Sequence, residues 1–190
     1  MSIGLIIVLA VFVVALAYAV LIYNGLVNLK HSVAKAWSNI DVLLKQRHEE
    51  LPKLVEVCRQ YMAHEKDTLE RVTAARSAVF AARERTDLGQ LGMAEGALRQ
   101  GLGNLFALAE QYPALKADEQ FNHLHNRISQ IENAIADRRE LYNESANLNN
   151  IRIEEFPDLI IARLFAFGPR DLLEFSLEET SNPDLRQLFS

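Results

Sequence analysis

Residues Ile3–Tyr23 read IGLIIVLAVFVVALAYAVLIY, 21 consecutive residues without an Asp, Glu, Lys or Arg. A helix of that length rises roughly 31 Å, close to the hydrocarbon thickness of a bilayer. In lipid only a helix satisfies its own backbone N–H and C=O groups within one segment, so the stretch is expected to be helical despite its β-branched residues. Ile3, Ile7 and Val14 are placed in the apolar interior. Tyr18 and Tyr23 lie toward one end, where amphipathic rings favour the interface. The competing reading is a cleaved signal peptide, because Ala15-Leu16-Ala17 and Ala17-Tyr18-Ala19 have the small-x-small pattern of a cleavage site. No basic n-region precedes Ile3, and the apolar run continues past both sites, so a retained anchor is favoured.

Outside this stretch the composition changes completely. All 20 basic and 25 acidic residues fall in residues 30–190 of the 190-residue chain. Lys30, Lys35, Lys45, Arg47 and Lys53 follow the span, and no basic side chain precedes it. The positive-inside rule then places the large C-terminal part on the cytoplasmic side of a single-pass membrane protein. The net charge of −5 argues against binding nucleic acid through broad electrostatics. A single cysteine, Cys58, excludes an intrachain disulfide and has no neighbours at metal-site spacing.

The apolar residues beyond the span recur at intervals of three and four, the helical period. Four stripes emerge: Leu26 to Leu44, Leu51 to Val79, Leu91 to Tyr112, and Phe121 to Leu148. Thr86-Asp87 resembles a cap and entry turn, and Tyr112-Pro113 ends a helix because the residue before proline avoids the helical region. Pro52 marks either a hairpin near Arg47–Leu51 or a kink in one very long helix; length matching within a bundle favours the hairpin. The expected fold is all-α: a transmembrane anchor over residues 1–25, an antiparallel four-helix bundle over 26–152, and a short apolar helix and tail over 153–190. Phe156-Pro157 opens that last helix and Gly168-Pro169 closes it. It is too short to span a bilayer, so it covers the bundle, docks on a neighbour or lies on lipid; packing within its own chain is favoured. Thr180–Pro183 reads as a loop, and Leu188 and Phe189 as a small docking point or a loose end.

Catalytic patterns are missing. His48-Glu49-Glu50 and His64-Glu65 look like the start of a zinc-binding helix, but the second His four residues on is Pro52 in one case and Thr68 in the other. His123 and His125 are two apart and point to different faces. Cys58 lies on an apolar stripe and is read as inert. No enzyme activity, cofactor or metal is expected. Extending the stripes places Glu65, Arg76, Glu132 and Arg138 near inner faces, as a polar network that sets helix register or, less favoured, as a ligand site. Glu110, Asp118, Glu119, Asp137 and Arg139 are assigned to a solvated face. Gly92, Gly96, Gly101 and Gly103 make the third helix thin, either for contact or by local looseness. Together with Phe156, Leu164, Phe165 and Phe167 they are candidates for self-association or partner binding.

The segment Tyr23–Arg76 closely resembles the LemA family. The shared elements are Tyr23-Asn24, Ala36-Trp37-Ser38-Asn39-Ile40-Asp41, Arg47-His48, Leu51-Pro52-x-Leu54-Val55, Tyr61 and His64-Glu65. Glu132-Asn133-x-Ile135, Tyr142-Asn143, Phe156-Pro157 and Phe167-Gly168 also fit. Where the family has a second Tyr-Asn pair this chain has Leu148-Asn149-Asn150. The resemblance implies a bacterial single-pass membrane protein with a cytoplasmic helical bundle and no established activity. It also suggests proximity to membrane metalloproteases of the HtpX type. The expected partners are the lipid bilayer, further copies in a homo-oligomer and such a metalloprotease, with no nucleic acid.

Overall fold

The computed structural model describes residues 3–174. Thr180–Pro183, Leu188 and Phe189 lie outside the described residues. The described chain is all-α: α1 Ile3–Tyr61, α2 Lys66–Arg85, α3 Leu88–Ala109, α4 Pro113–Lys116, α5 Glu119–Glu154 and α6 Asp158–Leu164. Contacts divide it into two units. One comprises the described residues of Met1–Ser38 and Glu140–Leu172, the other those of Asn39–Arg139 and Leu173–Ser190. Helices α1 and α5 contribute to both.

The expected hairpin at Arg47–Leu51 is not formed. Helix α1 runs without a break through Pro52 to Tyr61, and the chain turns instead at Met62–Glu65. Proline inside a helix removes one N–H and crowds the carbonyl four residues back, a cost of about 3 kcal/mol. The carbonyl that loses its donor here is His48 O. Arg76 on α2 supplies the replacement, its Nε donating to His48 O at 3.0 Å. The proline ring itself is exposed, whereas Leu44, Leu51 and Leu54 are each at most 2% exposed. Burying one leucine is worth about 1.5–3 kcal/mol, so three outweigh one missing bond and keep the helix continuous.

In the second unit the distal part of α1 packs with α2, α3 and the first part of α5 as a four-helix bundle. Its core includes Ile40, Leu44, Leu54, Cys58, Val72, Leu98, Leu105, Ile128 and Ile135. The α2–α3 turn has Thr86 in the left-handed region at φ 56°, and Asp87 caps α3 by accepting from the Gln90 N–H at 2.9 Å. Pro113 opens α4 at its first turn, where no N–H is needed. Asp118 caps α5, accepting from the Phe121 N–H at 2.8 Å. Tyrosines tie these turns together: Tyr61 donates to Asp118 at 3.0 Å and Tyr112 donates to Glu65 at 3.1 Å.

In the first unit Ile22 and Leu26 of α1 pack with Ile153 of α5 and Ala162 of α6, flanked by Ile161 and Phe167. Trp37 meets Tyr142 edge-on, ring centroids 5.8 Å apart. Residues 168–171 are bonded to α5 at several points. Asn149 Nδ2 donates to Gly168 O at 3.2 Å, and Asn150 both donates to Arg170 O and accepts from Arg170 N, at 2.8 and 2.7 Å. Tyr142 donates to Asp171 O at 2.9 Å. Asn149 and Asn150 therefore hold the chain after α6. Helix α6 packs one face within its own chain, through Ala162.

Candidate functional site

Helix α1 is the one described helix long and apolar enough to cross a membrane. From Ile3 to Leu21 its large side chains stand exposed, Ile3 at 78% and Leu21 at 68%. A soluble protein does not leave such an uninterrupted apolar surface in water, so this surface points to a membrane location. Ile7, Val14 and Tyr18 share the exposure. At Ile22, one residue before the apolar run ends, the burial begins.

Among the described residues the bundle carries a buried ionic cluster at Arg47. The Arg47 guanidinium, 1% exposed, donates to Glu95 on α3 and to Glu132 on α5, the latter at 2.5 Å. Arg99 reaches Glu132 from the other side at 3.8 Å. Burial disfavours the Arg47 charge, but the Glu95 and Glu132 carboxylates outweigh it and leave the pKa above its ordinary value. The cluster is closed: each buried charge meets one of opposite sign, joining α1, α3 and α5 at one level of the bundle.

Of the four residues expected in a polar network, only Glu132 belongs to this cluster. Glu65 accepts from Tyr112 at a bundle end, and Arg76 serves His48. Arg138 is exposed and its neighbour Arg139 is buried at 2% exposure, the reverse of the expected assignment. One position is 100° around a helix, and Arg139 keeps the stripe spacing of Ile135 and Tyr142. Arg47 and Glu95 went unassigned, although spacing marks both. Arg47 is three after Leu44 and four before Leu51, and Glu95 is four after Leu91 and three before Leu98.

His48 lines a surface groove of about 400 Å³ with Leu44, Val79, Phe80 and Arg83 among its walls. Its ring stacks on Phe80 at 4.6 Å, and Arg76 Nη2 approaches Nε2 at 2.7 Å. Arg83 is held nearby by Asp41 at 2.5 Å, and the Arg83 bond keeps the Asp41 carboxyl below its usual range. Burial, then the Arg76 and Arg83 charges, push the His48 pKa below 6.5; Glu49 opposes them weakly. The unfolded state then binds a proton more readily, so this contribution to stability is present above pH 6.5 and is lost as pH falls through the lower folded pKa. Thermal melts of full-length protein between neutral and mildly acidic pH are expected to show that loss. His48→Gln should flatten that part of the profile; an unchanged slope would remove His48 as its source.

Cys58 is fully buried, and burial pushes its thiol up to about 12, consistent with an inert core residue. Among the described residues no cluster of His, Cys, Asp and Glu is arranged to hold a metal.

The glycines of α3 divide by environment. A Cβ on Gly101 would rest on Val72 of α2 at 3.4 Å, and one on Gly92 would run into the Glu174 carbonyl. Gly96 is half-buried, and Gly103 faces open space. Gly92 is thus used for close approach within this chain, whereas a Cβ at Gly101 would make an ordinary contact. Gly103→Ala should stabilise the bundle by about 0.5–1 kcal/mol, the helix propensity gain. Gly92→Ala should lose that gain to the backbone collision and come out net destabilising. Paired denaturant titrations read the difference, and equal responses would refute the assignment.

At the membrane end, a groove of about 470 Å³ runs along Gly25, Asn28, Leu29 and Ser32 of α1 and Leu148, Ile151, Arg152 and Glu155 of α5. In α6 Leu164 is 72% exposed; beside it Phe156 is 81% exposed, Phe165 is also exposed and Phe167 is half-buried against Tyr23.

Comparison with known proteins adds relatives to this geometry. Magnetosome proteins MamQ 1 and MamQ 2 of Paramagnetospirillum magneticum are each 26% identical to the chain over 76% of its length. Magnetosome protein MamQ of Magnetospirillum gryphiswaldense is 24% identical over the same share. The match spans 62% of the length of each of these relatives. The LemA family profile matches residues 36–186, taking in the distal part of α1 and every later helix, and the chain belongs to the LemA family.

Proposed function

We propose that this protein is a single-pass, membrane-anchored scaffold that self-assembles, organises other envelope proteins, or does both, and has no catalytic activity of its own. The observation that carries the reading is α1. One unbroken helix joins an exposed apolar stretch of bilayer length to a bundle in which the buried Arg47 is spent on Glu95 and Glu132. Such a bundle is built to hold a shape. Arg47, Glu95 and Glu132 leave no facing pair of groups for proton transfer, and the Cys58 thiol is out of reach of substrate. The magnetosome relatives carry names that assign no reaction. Self-contacts are available along the exposed α1 stretch and in the groove between Gly25–Ser32 and Leu148–Glu155, where Leu148 and Ile151 stand half exposed. The lysines after the span support a bundle on the cytoplasmic side of the bacterial inner membrane.

A second reading, carried by the family resemblance, is an adaptor or regulator of a membrane enzyme such as an HtpX-type metalloprotease. Crosslinking the tagged full-length protein in its native membrane, followed by mass analysis, separates the two. A ladder of self-multiples supports the scaffold. A heteromer of fixed stoichiometry with an enzyme supports the adaptor. A product that stays monomeric at every expression level rules out self-assembly.

A further inference from the structure

The segment from Phe156 to Phe165 has two unlike faces. One is fixed to its own chain: Ala162 is 1% exposed against Ile22, Leu26 and Ile153, and Asp158, also buried, is paired with Arg152. The other presents Phe156, Ile160, Leu164 and Phe165, between 54% and 81% exposed. Four large apolar side chains within ten residues are left facing outward by a segment that is held firmly at its back.

The position of this face identifies its occupant. Tyr23, the last residue of the apolar run, meets Phe165 edge-on at 4.8 Å and Phe167 at 5.8 Å. Ile22, one turn from the exposed Tyr18, is already covered by the α6 cluster. The outward face therefore begins where the exposed apolar surface of α1 ends, and Tyr23 joins the two through its contact with Phe165. A seven-residue helix is too short to span, yet an amphipathic segment at this level buries its apolar side at the headgroup–acyl boundary. We infer that Phe156, Ile160, Leu164 and Phe165 insert into the bilayer interface beside the exit of α1, as a second, in-plane contact with lipid. That contact would fix the orientation of α1 and the end of α5 against the membrane, where a lone span leaves rotation free. The inference rests on the membrane location of α1, and its test examines the two separately.

Full-length protein carrying Cys58→Ala is given one new cysteine at a time, at Val14, Phe156, Leu164 or Asp137. Each is labelled with an environment-sensitive fluorophore and reconstituted into phosphatidylethanolamine–phosphatidylglycerol vesicles, with quencher lipids labelled near the glycerol or deep in the chain. The Phe156 and Leu164 probes should be quenched about twofold or more by the shallow label and remain so on dilution into excess lipid, while the Asp137 probe is unaffected. Val14 should respond to the deep label. Loss of quenching at Val14 overturns the anchor itself. Quenching at Val14 with Phe156 and Leu164 behaving like Asp137 overturns only the interfacial contact. Probes at Phe156 and Leu164 that are blue-shifted, unquenched by lipid and reversed by dilution reveal a second copy on this face, which also overturns it.

Discussion

Replacing Arg47 by Ala is expected to destabilise the bundle by about 3–5 kcal/mol, the cost of leaving a buried charge without its partner. Glu95 would bear most of this. It is 4% exposed and its ion-pair partner is Arg47. Glu132 is more exposed and keeps Arg99 at 3.8 Å, so its share is smaller. The magnitude alone would not separate a lost ion pair from a lost side-chain volume, but the double variant does. Arg47→Met with Glu95→Leu removes both charges and fills the space with apolar atoms, which in buried pairs is often neutral or stabilising. Denaturant titration of full-length protein in micelles should therefore show the single variant far below the wild type and the double variant near it. A double variant as unstable as the single one would mean that the cluster is worth more intact than its charges cost. The register role would then be tested by whether the helices still pair correctly.

Fold class was legible because its two signals are hard to mistake. An uncharged run of bilayer length has few readings, and stripes at three-four spacing leave no room for strands. The cap at Asp87 was legible because its chemistry is local, whereas Tyr112-Pro113 signals only a stop and not the short α4 that Pro113 opens. The course of α1 was not. Pro52 is a breaker by local rules, and the group that repairs its damage, Arg76, lies 24 residues on in sequence and on another helix. The true turn at Met62–Glu65 contains no glycine or proline to announce it. The candidate site failed for a related reason. Stripes locate faces well, but an ionic cluster forms only where faces of three helices coincide in height, and spacing within one helix carries no information on height. Arg47, Glu95 and Glu132 all keep their stripes, and only the meeting of three helices makes them one cluster. Arg138 and Arg139 show how little error is tolerated, since one step along the helix exchanges core for solvent.

Pro52 makes the most direct test of this account of α1. Pro52→Ala should raise stability by about 1–3 kcal/mol, because the exposed ring contributes no core packing while its replacement restores an N–H and removes a clash. The sign is unusual, since most substitutions in a packed protein destabilise. Arg76 supplies the control. In the wild type, Arg76→Met leaves the His48 carbonyl without the donor that stands in for the missing Pro52 N–H, and also breaks the 2.7 Å contact to the His48 ring. A fully buried acceptor left unmet costs about 1–3 kcal/mol, and this part-buried one falls toward the low end. In the Pro52→Ala background the new N–H serves that carbonyl, so Arg76→Met should cost less by about 0.5–2 kcal/mol. A coupling of that size and sign, read from four denaturant curves on the full-length chain, ties the continuity of α1 to one guanidinium on α2. If Arg76→Met costs the same in both backgrounds, the guanidinium is not what lets the helix pass through its proline, and the burial of Leu44, Leu51 and Leu54 alone must hold α1 together.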